Sequence, residues 1–78
     1  MQVQVKLMGT LRGRLPPEAK GATRLDLDPG ATVAVVLDRL GVAGQVHAVM
    51  VNDDMEPDRG RVLADGDSLV LLPPVAGG

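Results

Sequence analysis

The chain has no cysteine, no phenylalanine, tyrosine or tryptophan, and a single histidine, His47. Without cysteine there is no disulfide framework, no thiolate metal site and no cysteine nucleophile. Without aromatics, the 45% of residues that are hydrophobic must build a core from Val, Leu, Ala and Met. With His47 the one histidine and Ser68 the one serine, no nucleophile, base and orienting group can be assembled, so no catalytic residue is expected. Basic residues are in slight deficit: a net charge of −2 and a pI near 5.1 argue against a nucleic-acid surface. Long apolar runs are missing too, and with them a membrane span or a signal peptide, so we expect a soluble, cytoplasmic protein. At 78 residues the chain makes one small domain, near the lower size at which a single core suffices.

What is present is patterned. Val3, Val5 and Leu7 alternate with Gln2, Gln4 and Lys6, the signature of a half-buried strand. Residues 9–21 are rich in Gly and Pro and read as a connection; Arg12 and Arg14 within it read as solvated. Leu25 and Leu27 alternate with Arg24, Asp26 and Asp28 in a second strand, closing a wide hairpin. After the turn Asp28-Pro29-Gly30-Ala31, Thr32 is placed to cap a helix. Its apolar stripe is Val33, Val36, Leu37 and Leu40, with Gly41 as the stop. The valines are poor helix formers, so burial of that stripe must hold the helix.

Residues 46–52 read as a third strand, with His47 at its start and no catalytic role. The acidic stretch from Asn52 to Arg61 invites a calcium loop, but Met55 and Pro57 fall on ligand positions and Gly60 comes too late. We read it as a solvated turn region with a possible short strand and no metal. Met55, apolar among charges, either tucks under the loop or faces a partner. Val62 and Leu63 return to the core, Asp65-Gly66 turns, and residues 67–72 form the last strand. One helix among strands points to an α+β domain.

The last strand runs into Pro73 and Pro74, which cannot donate to a ladder and therefore end it. Val75, Ala76, Gly77 and Gly78 follow, almost bare backbone. Six such residues reach about 20 Å when extended. We divide the chain into a body, residues 1–72, and an extended tail, residues 73–78. A tail of this kind threads a narrow channel and presents an unhindered carboxylate at Gly78, which we take to be the functional group.

The runs Leu63-Ala64-Asp65-Gly66-Asp67 and Pro73-Pro74-Val75-Ala76-Gly77-Gly78 resemble the close of the MoaD/ThiS family of ubiquitin-like sulfur carriers. Val5-Lys6-Leu7-Met8-Gly9-Thr10-Leu11-Arg12 and Val49-Met50-Val51-Asn52 fit the same family. The resemblance implies a β-grasp, a mixed sheet packed on one main helix with the first and last strands parallel neighbours. It implies that Gly78 is adenylated by a ubiquitin-activating-like adenylyltransferase using ATP, then converted to a thiocarboxylate by a sulfur donor. It also implies that the chain itself binds no cofactor and is a carrier co-substrate, not an enzyme. Its acceptor would be the large subunit of a synthase. The Pro-Pro tail is closest to the molybdopterin-synthase small subunit, although Leu72 stands where relatives commonly have Phe. The alternatives are carriers serving thiazole, cysteine or tRNA thiolation, a protein modifier conjugated through Gly78, and a plain interaction module. Leu72 and Met55 are the expected docking residues.

Overall fold

The structure is a computed structural model that describes residues 1–74. Strand β1, Gln2–Leu7, alternates exposed and buried residues without a break, as its sequence dictates. It pairs antiparallel with β2, Ala22–Asp26, placing Val3 opposite Leu25 and Lys6 opposite Ala22. The connection between them is more ordered than its Gly and Pro content implies. It folds into two 3₁₀ segments, Gly9–Arg14 and Pro17–Ala19, and Leu11 anchors the first in the core.

Helix α1, Val33–Leu40, buries Val33, Val36 and Leu37, and Gly41 ends it in the left-handed conformation at φ 72°. Its start differs from expectation: the Thr32 hydroxyl makes no capping hydrogen bond. The first free amides are instead met by a distant loop. Val33 N–H donates to the Arg61 carbonyl at 3.1 Å and Ala34 N–H to that of Arg59 at 2.9 Å. The same loop clamps the far end of the helix, where the Arg59 guanidinium donates to the carbonyls of Ala43 and Val46 at 3.0 and 2.7 Å. The stretch read from sequence as a solvated turn is therefore a strap across α1.

Strands β3, Ala48–Val51, and β4, Asp54–Met55, form a tight hairpin. Asn52 and Asp53 take φ of 51° and 72° at its turn, the left-handed pair that such hairpins require. Strand β5, Ser68–Leu72, enters the middle of the sheet, parallel to β1 and antiparallel to β3. The order is β2-β1-β5-β3-β4, a mixed sheet with the helix, which is the ubiquitin-like β-grasp.

The buried hydrophobics among the described residues are all Val or Leu, fifteen of them. Met and Ala contribute only at the margin of that core, where Met1, Ala31 and Ala43 pack against it half-buried. All four methionines are half-buried or exposed, and Met8, Met50 and Met55, unlike Met1, do not pack against the core, so their placement needs another reason. Val62 likewise does not return to the core: it is 59% exposed, while Leu63 beside it is buried.

Candidate functional site

The register of the sheet sorts its side chains into two faces. Val5, Leu69 and Val51 face α1 in one row, with Leu7, Leu71 and Val49 in the next. The opposite face has no helix over it. One row on that face crosses all five strands through cross-strand partners: Ala22, Lys6, Val70, Met50 and Met55. Toward the C-terminal end of β5 comes Leu72, opposite Ala48. Met8 extends the same end beside it, its N–H donating to the Leu71 carbonyl at 3.0 Å. Toward the other end the row is polar: Arg24, Gln4 and Ser68. The outer face is thus polar where β5 begins and apolar where it ends, and the apolar end leads straight into Pro73 and Pro74.

Why the outer face is apolar is visible in the chain. Residues 69–72 are Leu-Val-Leu-Leu and 48–51 are Ala-Val-Met-Val, so both strands are apolar on both faces. A strand with only one buried face alternates; these two do not. Val70, Met50, Leu72 and Met8 are half-buried, and Met55 is 60% exposed. Three of the four methionines, Met8, Met50 and Met55, lie here. An unbranched thioether side chain adapts its shape to different surfaces, which is why methionine recurs on surfaces that meet several partners.

Of the expected docking residues, Met55 is exposed and Leu72 half-buried, and both belong to this face. They are not adjacent: Met50, Val70 and Ala48 lie between them. Those three were missed because the strands were assigned from sequence without sorting the second face of β3 and β5. The period-two count, applied to both faces, would have found them. Pro73 is half-buried and Pro74 exposed. The calls on Val75, Ala76, Gly77 and Gly78 lie outside the described residues.

A polar clip fixes the hairpin that carries Met50 and Met55. Asn52 donates from Nδ2 to Asp67 Oδ1 at 2.9 Å and accepts from the Ser68 N–H at 3.0 Å. The other Asp67 oxygen accepts from the Ala64 N–H at 2.8 Å. Those two donors, the backbone amide first, hold the Asp67 carboxyl below its usual range, aided by the Arg61 charge and opposed by burial. Elsewhere the site offers little chemistry. His47 is exposed, and among the described residues no group of His, Cys, Asp or Glu could hold a metal ion. Among the described residues no helix is long and apolar enough to cross a membrane.

No curated protein matches the sequence. The fold of SAMP1 from Haloferax volcanii is similar, with a TM-score of 0.76 at 26% identity over the full length of both chains. In a complex of subunits 1 and 2 of molybdopterin-converting factor from Helicobacter pylori, a chain matches at 26% identity and a TM-score of 0.65, again over both full lengths. A putative molybdopterin converting factor subunit 1 from Pyrococcus furiosus shares the fold, with a TM-score of 0.76 at 21% identity, covering 96% of this chain and 99% of that one. The ThiS family matches residues 5–78, which takes in all of the sheet but the first half of β1, together with the strap and the Gly-Gly end. The chain belongs to the ThiS family, the ubiquitin-like sulfur carriers of the MoaD/ThiS type.

Proposed function

We propose that the protein carries sulfur as a thiocarboxylate on Gly78, and that the body docks through the outer sheet face while residues 73–78 enter the partner's active site. The observation that carries this reading is the apolar end of the outer face, Met8, Leu72, Ala48, Val70, Met50 and Met55, continuous with the tail's root at Pro73. A face of this kind recruits a partner, and the tail leaves from its edge.

The chemistry follows from the carboxylate. Its pKa lies near 3.3–3.7, so at neutral pH it is ionised and resists nucleophiles. A carboxylate oxygen therefore attacks the α-phosphate of ATP in an adenylyltransferase, forming an acyl-adenylate and releasing pyrophosphate. Sulfide attacks the carbonyl carbon and AMP leaves, yielding the thiocarboxylate. A persulfide donor instead forms an acyl disulfide, which a thiol cleaves to the thiocarboxylate with a disulfide as the second product. The soft sulfur then attacks an acceptor, and water cleaves the resulting thioester, leaving sulfur on the acceptor and restoring the carboxylate. The chain contributes presentation: glycine at 77 and 78 leaves room in a narrow channel, and no side chain crowds the reacting carbon.

The converting-factor subunits with this fold favour molybdopterin biosynthesis as the destination, with a synthase large subunit as acceptor. A second reading, conjugation of Gly78 to lysines on other proteins, is favoured by the likeness to SAMP1, a small archaeal modifier protein. Adenylation serves both. The intact mass of the protein from its own cells separates them, since exchange of one terminal oxygen for sulfur supports the carrier and attachment to other proteins supports the modifier. Appending one residue after Gly78 should abolish adenylation and leave the melting temperature unchanged. Adenylation of the untrimmed, extended protein would rule out Gly78 as the reacting end.

A further inference from the structure

The tail's first residue rests on the turn that follows β1. At Gly9 the chain leaves the sheet with φ +54° and enters the 3₁₀ segment Gly9–Arg14. A Cβ on Gly9 would lie 3.0 Å from Cγ and 3.7 Å from Cδ of Pro73. Pro73 can yield only through its ring pucker, because its ring fixes its own φ and also confines Leu72 before it to extended backbone. The segment itself cannot retreat, because Leu11 within it is buried. Leu11 also borders, with Thr10, Gly44 and Gln45, a cleft of about 450 Å³ that Pro74 lines from the tail side. Glycine is not needed generally around this cleft. A Cβ on Gly44 meets nothing within 4 Å.

We propose that Gly9 is a positioning residue for the tail: its bare Cα lets the Pro73 ring seat against the turn, and that contact sets the direction in which the tail leaves the sheet. The inference rests on the reading that Gly78 is the activated end, and it adds what aims that end. Docking uses the outer face and is indifferent to aim. Gly9 variants should therefore lose turnover while keeping affinity.

Two effects of a side chain at position 9 must be kept apart, namely strain at positive φ and contact with Pro73. Gly9→Ala introduces both. Gly9→Asn keeps the contact but is better tolerated in the left-handed region. Pro73→Ala removes the two ring atoms that a Cβ would meet and leaves the strain. In ATP–pyrophosphate exchange with the activating enzyme of the same cells, Gly9→Ala and Gly9→Asn should each lower kcat about tenfold with KM within about twofold. In a Pro73→Ala background, Gly9→Ala should change kcat by less than about twofold, although its melting temperature still falls. Gly44→Ala should match wild type.

The aim of the tail is also read without a partner. Nuclear Overhauser contacts between the Gly9 α-protons and the Pro73 ring are expected in the wild type. Gly9→Ala should shift the resonances of residues 73–78 when Pro73 is present and leave them in place in the Pro73→Ala background. Wild-type kcat in Gly9→Ala, or an equal loss with and without the Pro73 ring, overturns the proposal. If the wild type is not adenylated at all, the carrier reading fails, and unchanged tail resonances in Gly9→Ala would overturn this inference separately.

Discussion

Leu71 and Leu72 are chemically identical neighbours on β5, and the sheet treats them oppositely. Leu71 is 0% exposed against α1, and Leu72 stands half-buried on a face that no helix among the described residues covers. The difference separates two kinds of apolar residue that look alike in a sequence. One is held by the chain's own packing and answers to folding. The other keeps its hydrophobic surface in reserve and, on the proposed function, answers to a partner. Leu71→Ala should cost about 3 kcal/mol of stability, the usual toll for a cavity at a fully buried leucine. That is a large part of the total in so small a domain, and the denaturation midpoint should fall accordingly. Leu72→Ala should move that midpoint far less and weaken docking more. Equal midpoints for the two variants would erase the distinction between the faces.

Met55→Glu is the next sharpest probe. It places a charge at the outer rim of the apolar row, opposite Met50. Affinity for the activating enzyme should fall by about 2 kcal/mol, some thirtyfold, with the melting temperature almost unchanged. A folded Met55→Glu protein that binds like wild type would remove this residue from the docking face.

Asp67 tests whether the hairpin bearing Met50 and Met55 is held by charge. Its carboxyl is depressed by hydrogen bonds from the Ala64 amide and Asn52. Asp67→Asn replaces one acceptor by a donor facing a donor, and should cost about 1.5 kcal/mol at pH 7. Because the folded pKa lies below the unfolded one, the wild-type advantage is complete above about pH 4 and is lost as pH falls through the depressed folded value. The stability gap between wild type and variant should narrow in that acidic range. A gap independent of pH would mean that shape, not charge, makes the clip.

Legibility followed the reach of each interaction. The alternation of β1, the stripe of α1 and the glycine stop at Gly41 are local patterns, and each appears where its spacing put it. The resemblance carried the parallel pairing of β1 and β5, which no local rule supplies. What stayed hidden was non-local. Arg59 sits in a run of charges, and nothing adjacent to it says that its guanidinium will span to Ala43 and Val46. Thr32 had the right chemistry for a cap, but the carbonyls of Arg59 and Arg61 reached the helix first. Val70 and Met50 went unassigned because, on a strand that is apolar on both sides, the facing of a residue is not known until its partners across the sheet are.

Val62 supplies the smallest effect and the control for the others. It is 59% exposed, against 60% for Met55, so exposure alone cannot tell the two apart. Their neighbours can. Met55 ends a continuous row that runs through Met50 and Val70 toward the tail's side of the sheet. Val62 pairs only in an isolated bridge with Thr32, between half-buried Arg61 and buried Leu63, away from that row. The backbone on either side of it makes the bridge, Val33 N–H donating to the Arg61 carbonyl and Leu63 N–H to the Ala31 carbonyl, and ties the strap to the start of α1. Val62→Glu should therefore change stability by no more than about 0.5 kcal/mol, the range for a surface substitution away from special features. It should also change affinity for the activating enzyme by less than about twofold. Met55→Glu and Val62→Glu each add one negative charge, so any long-range repulsion by an acidic partner acts on both. The thirtyfold difference expected between them then reports local desolvation at the apolar row. Should Val62→Glu weaken binding as strongly as Met55→Glu, overall charge would account for both losses, and the outer face would lose its claim as the docking surface.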